Sequence, residues 1–306
     1  MSLGKNAGYL YVIFAVSAWG SLYVAGKIVL EVLPVTLVLA LRYAIGLTLL
    51  LILSRKIPKA TIQKGDGKYI VAVGAIAYYL GVTLQLLGTR LCDASLASLL
   101  NAMNPIIMVL LAVPLLGEIL TGKKLLSVAI TVLGAAVIIG GVSSGDFLGI
   151  IINLGSVTAW SFGSLMMRKV CLKYDALSVT IYSMALGLAL AIPTAFVEIS
   201  LIGFSFSAVT FEVVGWVLFI GIVCTAGALY AWNKGLSLLD AGTGSLFLPV
   251  QPMVATLLGV LILGETISMN FLLGSMLVLL GILYAVMPFS FKLLHKTPVS
   301  TPLGSE

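Results

Sequence analysis

Residues 93–118 read DASLASLLNAMNPIIMVLLAVPLLGE, and residues 240–265 read DAGTGSLFLPVQPMVATLLGVLILGE. At an offset of 147, Asp93-Ala94 meets Asp240-Ala241, Ser98-Leu99 meets Ser245-Leu246, Pro105 meets Pro252 and Gly117-Glu118 meets Gly264-Glu265. Each stretch is apolar over about twenty residues, the length of helix needed to cross a hydrocarbon core of roughly 30 Å. Each is also interrupted near its middle by proline. A span that occurs twice implies a chain that is duplicated.

The duplication extends in both directions. Gly134 falls on Gly281 at the same offset. At an offset of 141, Val16-Ser17-Ala18-Trp19 matches Val157-Thr158-Ala159-Trp160, Lys27 falls on Arg168, and Ala44-Ile45-Gly46-Leu47 falls on Ala185-Leu186-Gly187-Leu188. The six-residue difference is absorbed after the seventh span. Apolar stretches lie at about 9–30, 35–54, 69–88, 94–116, 125–142, 147–167, 176–197, 213–233, 241–263 and 271–289. They are continuous runs without period-two alternation, and only helices or closed barrels satisfy their backbone in lipid. The expected fold is therefore an all-α integral membrane protein of ten transmembrane helices. Because each repeat holds an odd number of spans, the second enters the bilayer from the opposite side, giving two inverted five-helix repeats at 8–142 and 147–289, flanked by a short N-terminus (1–7) and a tail (290–306).

Composition agrees. Of 306 residues, 60% are hydrophobic and only 9% charged, with a mean hydropathy of +1.18; a soluble domain needs nearer a quarter of its residues charged. Nucleic-acid binding is excluded with it. Cys92, Cys171 and Cys224 show no metal-ligand spacing and the single histidine, His295, lies in the tail, so neither a metal nor a cofactor is expected. Lys5, Arg55, Lys56, Lys59, Lys64, Lys68, Lys123, Lys124, Arg168, Lys169, Lys173, Lys234, Lys292 and Lys296 fall on the side of the N-terminus, against Lys27 and Arg90 opposite. That bias predicts both termini in the cytoplasm of a multi-pass protein of the cell (inner) membrane. The basic loop 55–68 corresponds in the second copy to a stretch holding only Glu198 and Glu212, as inversion requires.

These features resemble the drug/metabolite transporter superfamily, in its EamA-type ten-span branch. The resemblance rests on the Ala-Trp pair of spans 1 and 6, on Leu41-Arg42-Tyr43 in span 2, and on the proline followed by Gly-Glu in spans 4 and 9. It implies a central cavity lined by spans 1–4 and 6–9, with spans 5 and 10 peripheral. The four-span multidrug branch binds cations through a membrane-embedded glutamate, and spans 1 and 6 here have no such acid. The expected activity is secondary active transport, as an exporter, of a small metabolite such as an amino acid or related zwitterion or anion, by alternating access around a midplane cavity. A passive channel and an integral-membrane enzyme are the rivals. Against an enzyme, no paired aspartates, Ser/His pair or zinc ligands stand at membrane depth.

The candidate cavity residues follow from polarity at depth. Arg42 is the one charged side chain well inside a span, where burial is expensive unless compensated; it either receives an anionic solute group or bonds a neighbouring helix. Trp19 and Trp160 sit within spans rather than at interfaces, and each indole needs a partner. Tyr79 and Thr83 share a helical face in span 3. Asn101, Asn104 and Gln251 cluster with the helix breaks at Pro105, Pro249 and Pro252, where Pro105 and Pro252 should free the carbonyls of Asn101 and Leu248. Ser164, Tyr182 and Tyr230, with Gln85, Asn233 and Trp232, add polar lining. Asp93 and Asp240 are expected to cap spans 4 and 9, with Glu118 and Glu265 structural. The glycines of spans 5 and 10 suggest close packing within a monomer or a weak homodimer contact. The expected partners are a small-molecule substrate and the lipid bilayer.

Overall fold

The computed structural model describes residues 3–55, 60–117, 119, 121–140, 146–238 and 247–286. Helices occur at all ten expected places. They are α1 (Leu3–Val32), α2 (Val35–Leu53), α3 (Gly67–Leu91), α4 (Ala94–Ala102 and Asn104–Leu116), α5 (Gly122–Ile139), α6 (Phe147–Val170), α7 (Ala176–Ile202), α8 (Phe211–Phe219, Ile220–Gly227 and Ala228–Leu238), α9 (Val250–Leu263) and α10 (Met269–Val286). Seven are long and apolar enough to cross a membrane unaided. The described part of α9 has 14 residues, about 21 Å at 1.5 Å per residue, and residues 241–246 of that span lie outside the described ones.

The copies share backbone devices that the side chains alone did not announce. Both α3 and α8 carry a π-helical segment, at Ala72–Gly81 and Ile220–Gly227, in equivalent positions. Both α4 and α9 end on a left-handed glycine, Gly117 at φ 67° and Gly264 at φ 67°, a conformation a Cβ disfavours. In α4 the proline acts one turn early. The helix stops at Met103, whose N–H bonds the Leu100 carbonyl at 3.1 Å, and Pro105 then opens the second piece. A missing donor is harmless there because first-turn amides have no helical partner. In α9 the expectation is corrected. Pro249 precedes the helix and Pro252 falls in its first turn, while the Leu248 carbonyl accepts from Gln251 at 3.1 Å and is not freed.

The repeats interdigitate. α1 packs on α8 and α9 of the other repeat, α6 packs on α3 and α4, and α2 lies along α7. Glycines set these approaches: a Cβ at Gly74 would lie 2.8 Å from the Ser183 carbonyl oxygen, and one at the equivalent Gly221 would lie 2.7 Å from Ile45. α5 and α10 pack on each other, with Gly134 against the Gly274 backbone and Gly281 against Thr131. Gly134, Gly274 and Gly281 thus face the neighbouring helix within the chain. Leu126, Leu133, Leu273 and Leu280 point outward, exposed.

On the face opposite the N-terminus, helix starts are capped from a distance. Glu198 of α7 accepts from Val35 N at 3.1 Å, Thr36 N at 2.8 Å and Thr36 Oγ1 at 2.5 Å. Glu265, just beyond α9, accepts from Ala94 N at 2.5 Å, from Ser95 N at 3.1 Å and from the Ser95 hydroxyl. Asp93 therefore does not cap α4 as expected: Glu265 does, and Asp93 pairs instead with Lys27 at 3.5 Å. The Asp240 and Glu118 assignments lie outside the described residues. On the N-terminal face Asp66 joins the repeats by bonding Lys173 Nζ at 3.1 Å and Tyr174 Oη at 2.9 Å.

Candidate functional site

The polar junction forms where the breaks of α4 and α9 meet the tryptophan turns of α6 and α1. Gly20 of α1 lets α9 come close, since a Cβ there would lie 2.5 Å from the Gln251 carbonyl oxygen. One turn along α1, the fully buried Tyr23 hydroxyl accepts from Gln85 Nε2 at 2.7 Å and Gln251 Nε2 at 3.4 Å, with Asn101 beside it. Four spans, three from the first repeat and one from the second, converge on one phenol. The mirror of this contact lies on α6. There Ser161, equivalent to Gly20, donates to Asn104 Oδ1 at 2.8 Å, and Asn104 is equivalent to Gln251.

Aromatic rings flank both contacts. Trp19 meets Trp232 at 5.4 Å between centroids, tilted by 49°. Trp160 stacks on Tyr78 at 5.5 Å and 19°, and the Tyr43 hydroxyl donates to the Tyr78 carbonyl at 2.8 Å. Ser164 turns back on the Trp160 carbonyl at 2.8 Å. Tyr182 is half-buried on α7.

Arg42 is the electrostatic centre. It is 7% exposed. Its Nε donates to Thr225 Oγ1 at 3.3 Å, and its charge lies 5.6 Å from the Tyr43 ring centroid. Thr225 is available because the π segment of α8 turns its hydroxyl towards the Ile220 carbonyl five residues back, at 2.9 Å. Gly46 of α2 leaves the room it occupies. Nη1 is buried with no hydrogen-bonding partner among the described residues, and no carboxylate there pairs with the guanidinium. A guanidinium offers five donors in a rigid fork suited to a carboxylate, and a buried donor left unmade costs about 1–3 kcal/mol. Ser21, on the α1 turn that carries Tyr23, lies 3.7 Å from Cys224 Sγ next to Thr225, so the junction and the arginine's partner adjoin.

Two candidates fall elsewhere. Tyr230 is 46% exposed and lines an outer groove with Leu10, Tyr11 and Phe14; it is not a cavity residue. Thr83 bonds the Tyr79 carbonyl at 2.7 Å and lines a lateral groove beside the exposed Val197 and Leu201. The Asn233 side chain lies outside the described residues. Thr225 and Gly20 were not singled out from sequence, although the offset that pairs Gly20 with Ser161 and Tyr78 with Thr225 could have found them. Among the described residues, no three His, Cys, Asp or Glu side chains gather as a metal site.

The family model described as the EamA-like transporter family matches this chain twice, over residues 6–140 and 147–287. An uncharacterized transporter of Archaeoglobus fulgidus is 27% identical over 281 residues, covering 91% of this chain and 98% of that protein. The uncharacterized transporter YetK of Bacillus subtilis is 26% identical over 310 residues, covering 99% and 92%. The shorter permease-like protein YdzE of Bacillus subtilis is 49% identical over 69 residues, 22% of this chain and 88% of its own length. A solved crystal structure superposes with a TM-score of 0.64 at 19% identity, covering 92% of this chain and 96% of that one.

Proposed function

Since the chain belongs to the EamA-like transporter family, we propose that it exports a small anionic or zwitterionic metabolite, such as an amino acid, by alternating access, with Arg42 receiving the solute's negative group. The observation that carries this reading is the buried, unpaired Nη1 of Arg42 next to a polar junction built from both repeats. A buried arginine tied by Nε to Thr225, with Nη1 unpaired among the described residues, is poised to pair with a carboxylate. Tyr23, Gln85, Asn101, Asn104 and Gln251 supply donors and acceptors for the rest of a small polar solute. The inverted repeats supply two states of similar energy, one open to each side. The basic bias of the N-terminal face supports cytoplasmic termini, so export carries solute from that face to the opposite one.

The test is a thermal-shift screen of the purified protein against amino acids and other carboxylates, followed by the same screen on Arg42→Leu. A ligand raises the melting temperature by mass action. The proposal expects a carboxylate-bearing hit whose shift disappears in the variant. Hits that are indifferent to a carboxylate, or that keep their affinity in a well-folded Arg42→Leu protein, contradict it.

A further inference from the structure

The lateral groove beside Thr83 lies between the start of α2 and the last turns of α3 and α7, and encloses about 450 Å³. Val197, Leu201 and Ile202 stand exposed along one wall, as suits contact with hydrocarbon. The same lining holds Thr36, Thr83, Thr194 and Glu198. Polar side chains at membrane depth are expensive and mark function.

These polar atoms offer acceptors and no spare proton. Thr83 Oγ1 donates to the Tyr79 carbonyl at 2.7 Å, Thr194 Oγ1 to the Leu190 carbonyl at 3.0 Å, and Thr36 Oγ1 to Glu198 itself. A hydroxyl has one proton, so each has only lone pairs left for the groove. Pro193, inside α7, leaves the Ala189 carbonyl without its helical N–H. Glu198 is the one ionisable side chain of the lining. A carboxylate has about four lone-pair sites, and among the described residues Oε1 takes a single hydrogen bond, from Val35 N at 3.1 Å. A negative charge with acceptors and no donors, set beside an apolar wall, fits an ammonium group that carries a hydrocarbon chain.

The rim supplies the opposite charge. Arg90 lies seven residues beyond Thr83 on α3, nearly two full turns and so the same helical face. It is exposed, in the last turn of its helix. Lys27, the other basic residue of that side, is held by the Cys92 carbonyl at 2.8 Å and by Asp93 at 3.5 Å. Arg90 is thus the cation at head-group level, and its planar fork suits a phosphate. Glu198 stands one turn inside the end of α7, about 6 Å deeper than that end.

We infer that this groove binds a phospholipid with a primary ammonium head group, phosphatidylethanolamine, in the leaflet opposite the N-terminus. Its ammonium bonds Glu198, its phosphate meets Arg90, and one chain lies along Val197 and Leu201. Because α2 and α3 belong to the first repeat and α7 to the second, the lipid joins the repeats where Glu198 already does. Phosphatidylcholine has no N–H left to give Glu198, and phosphatidylglycerol has no cation. The inference does not depend on the solute proposed for Arg42.

The experiment is native mass spectrometry of the full-length protein, purified in detergent and equilibrated with equimolar phosphatidylethanolamine, phosphatidylcholine and phosphatidylglycerol of identical chains. The wild type should retain phosphatidylethanolamine roughly fivefold over either rival, the size of a partly exposed charged contact. Glu198→Gln should equalise the three. Since that change also weakens the α2 cap, Val197→Trp is the second variant: it fills the groove from its exposed wall, leaves the cap intact, and should equalise them with the melting temperature unchanged. Arg90→Ala should lower retention of all three lipids while keeping their order. Equal retention by the wild type overturns the inference. So does a preference that survives in Val197→Trp, or retention indifferent to Arg90→Ala.

Discussion

The two repeats carry the same backbone devices but not the same side chains. Both have a π segment, a proline in the first turn of the helical piece that completes the fourth span and a left-handed glycine at its end. At the level of side chains the equivalents diverge: Arg42 stands opposite Ser183, Tyr23 opposite Ser164, and Gln251 opposite Asn104. The first repeat therefore holds the cation and the buried phenol, while the second sends Thr225 and Gln251 across to meet them. Symmetry of backbone suits a machine with two similar states, and asymmetry of side chains suits a site that binds one solute in one orientation.

Breaking the asymmetry should have the largest effect. Arg42→Leu removes a charge-assisted contact worth about 1.5–3 kcal/mol, so carboxylate binding should weaken by roughly 10- to 150-fold, read by calorimetric titration with the thermal-shift hit. Arg42→Lys keeps the charge but loses the fork, and should fall between.

Breaking the shared packing should damage the fold and spare recognition. Gly134→Leu drives a side chain into the Gly274 carbonyl and Val278, and overpacking costs about 1–3 kcal/mol. The melting temperature should drop while solute affinity in the folded fraction stays unchanged. An affinity loss would place α5 and α10 in the site after all.

Gly259→Ala is a smaller perturbation that pushes Glu265 off the α4 start. Loss of a cap costs about 1 kcal/mol, and the variant's melting temperature should fall by a small amount, read by thermal unfolding of the purified protein.

The smallest effect belongs to the N-terminal face. The Tyr174 hydroxyl and then Lys173 hold the Asp66 carboxyl below its ordinary range. Its contribution is thus fully present above the unfolded carboxylate pKa of about 4 and lost as pH falls through the lower folded value. Asp66→Asn should leave transport at neutral pH nearly unchanged, and should flatten the acid limb of the melting profile.

What could be read beforehand divides along physical lines. Span number and the duplication were legible because each span is a continuous run and because Pro105/Pro252 and Gly117/Gly264 recur at one offset. The direction in which a side chain points was not: a helix apolar all round gives no amphipathic stripe to orient it, which is why Tyr230 was placed inward. The caps escaped for another reason. Glu198 and Glu265 act on amides more than 160 residues away, whereas capping signals in sequence are local, and Asp93 offered the local answer. Arg42 was legible because a charge at membrane depth demands an explanation, but its partner Thr225 depends on a π turn that composition does not mark.

The most direct test of the whole account is counterflow in proteoliposomes, with the labelled carboxylate from the screen outside and the unlabelled one inside. A carrier with Arg42 in its site predicts saturable uptake that internal solute accelerates and that vanishes in Arg42→Leu. Uptake that rises linearly without saturation, or that is unchanged by the substitution, would contradict it.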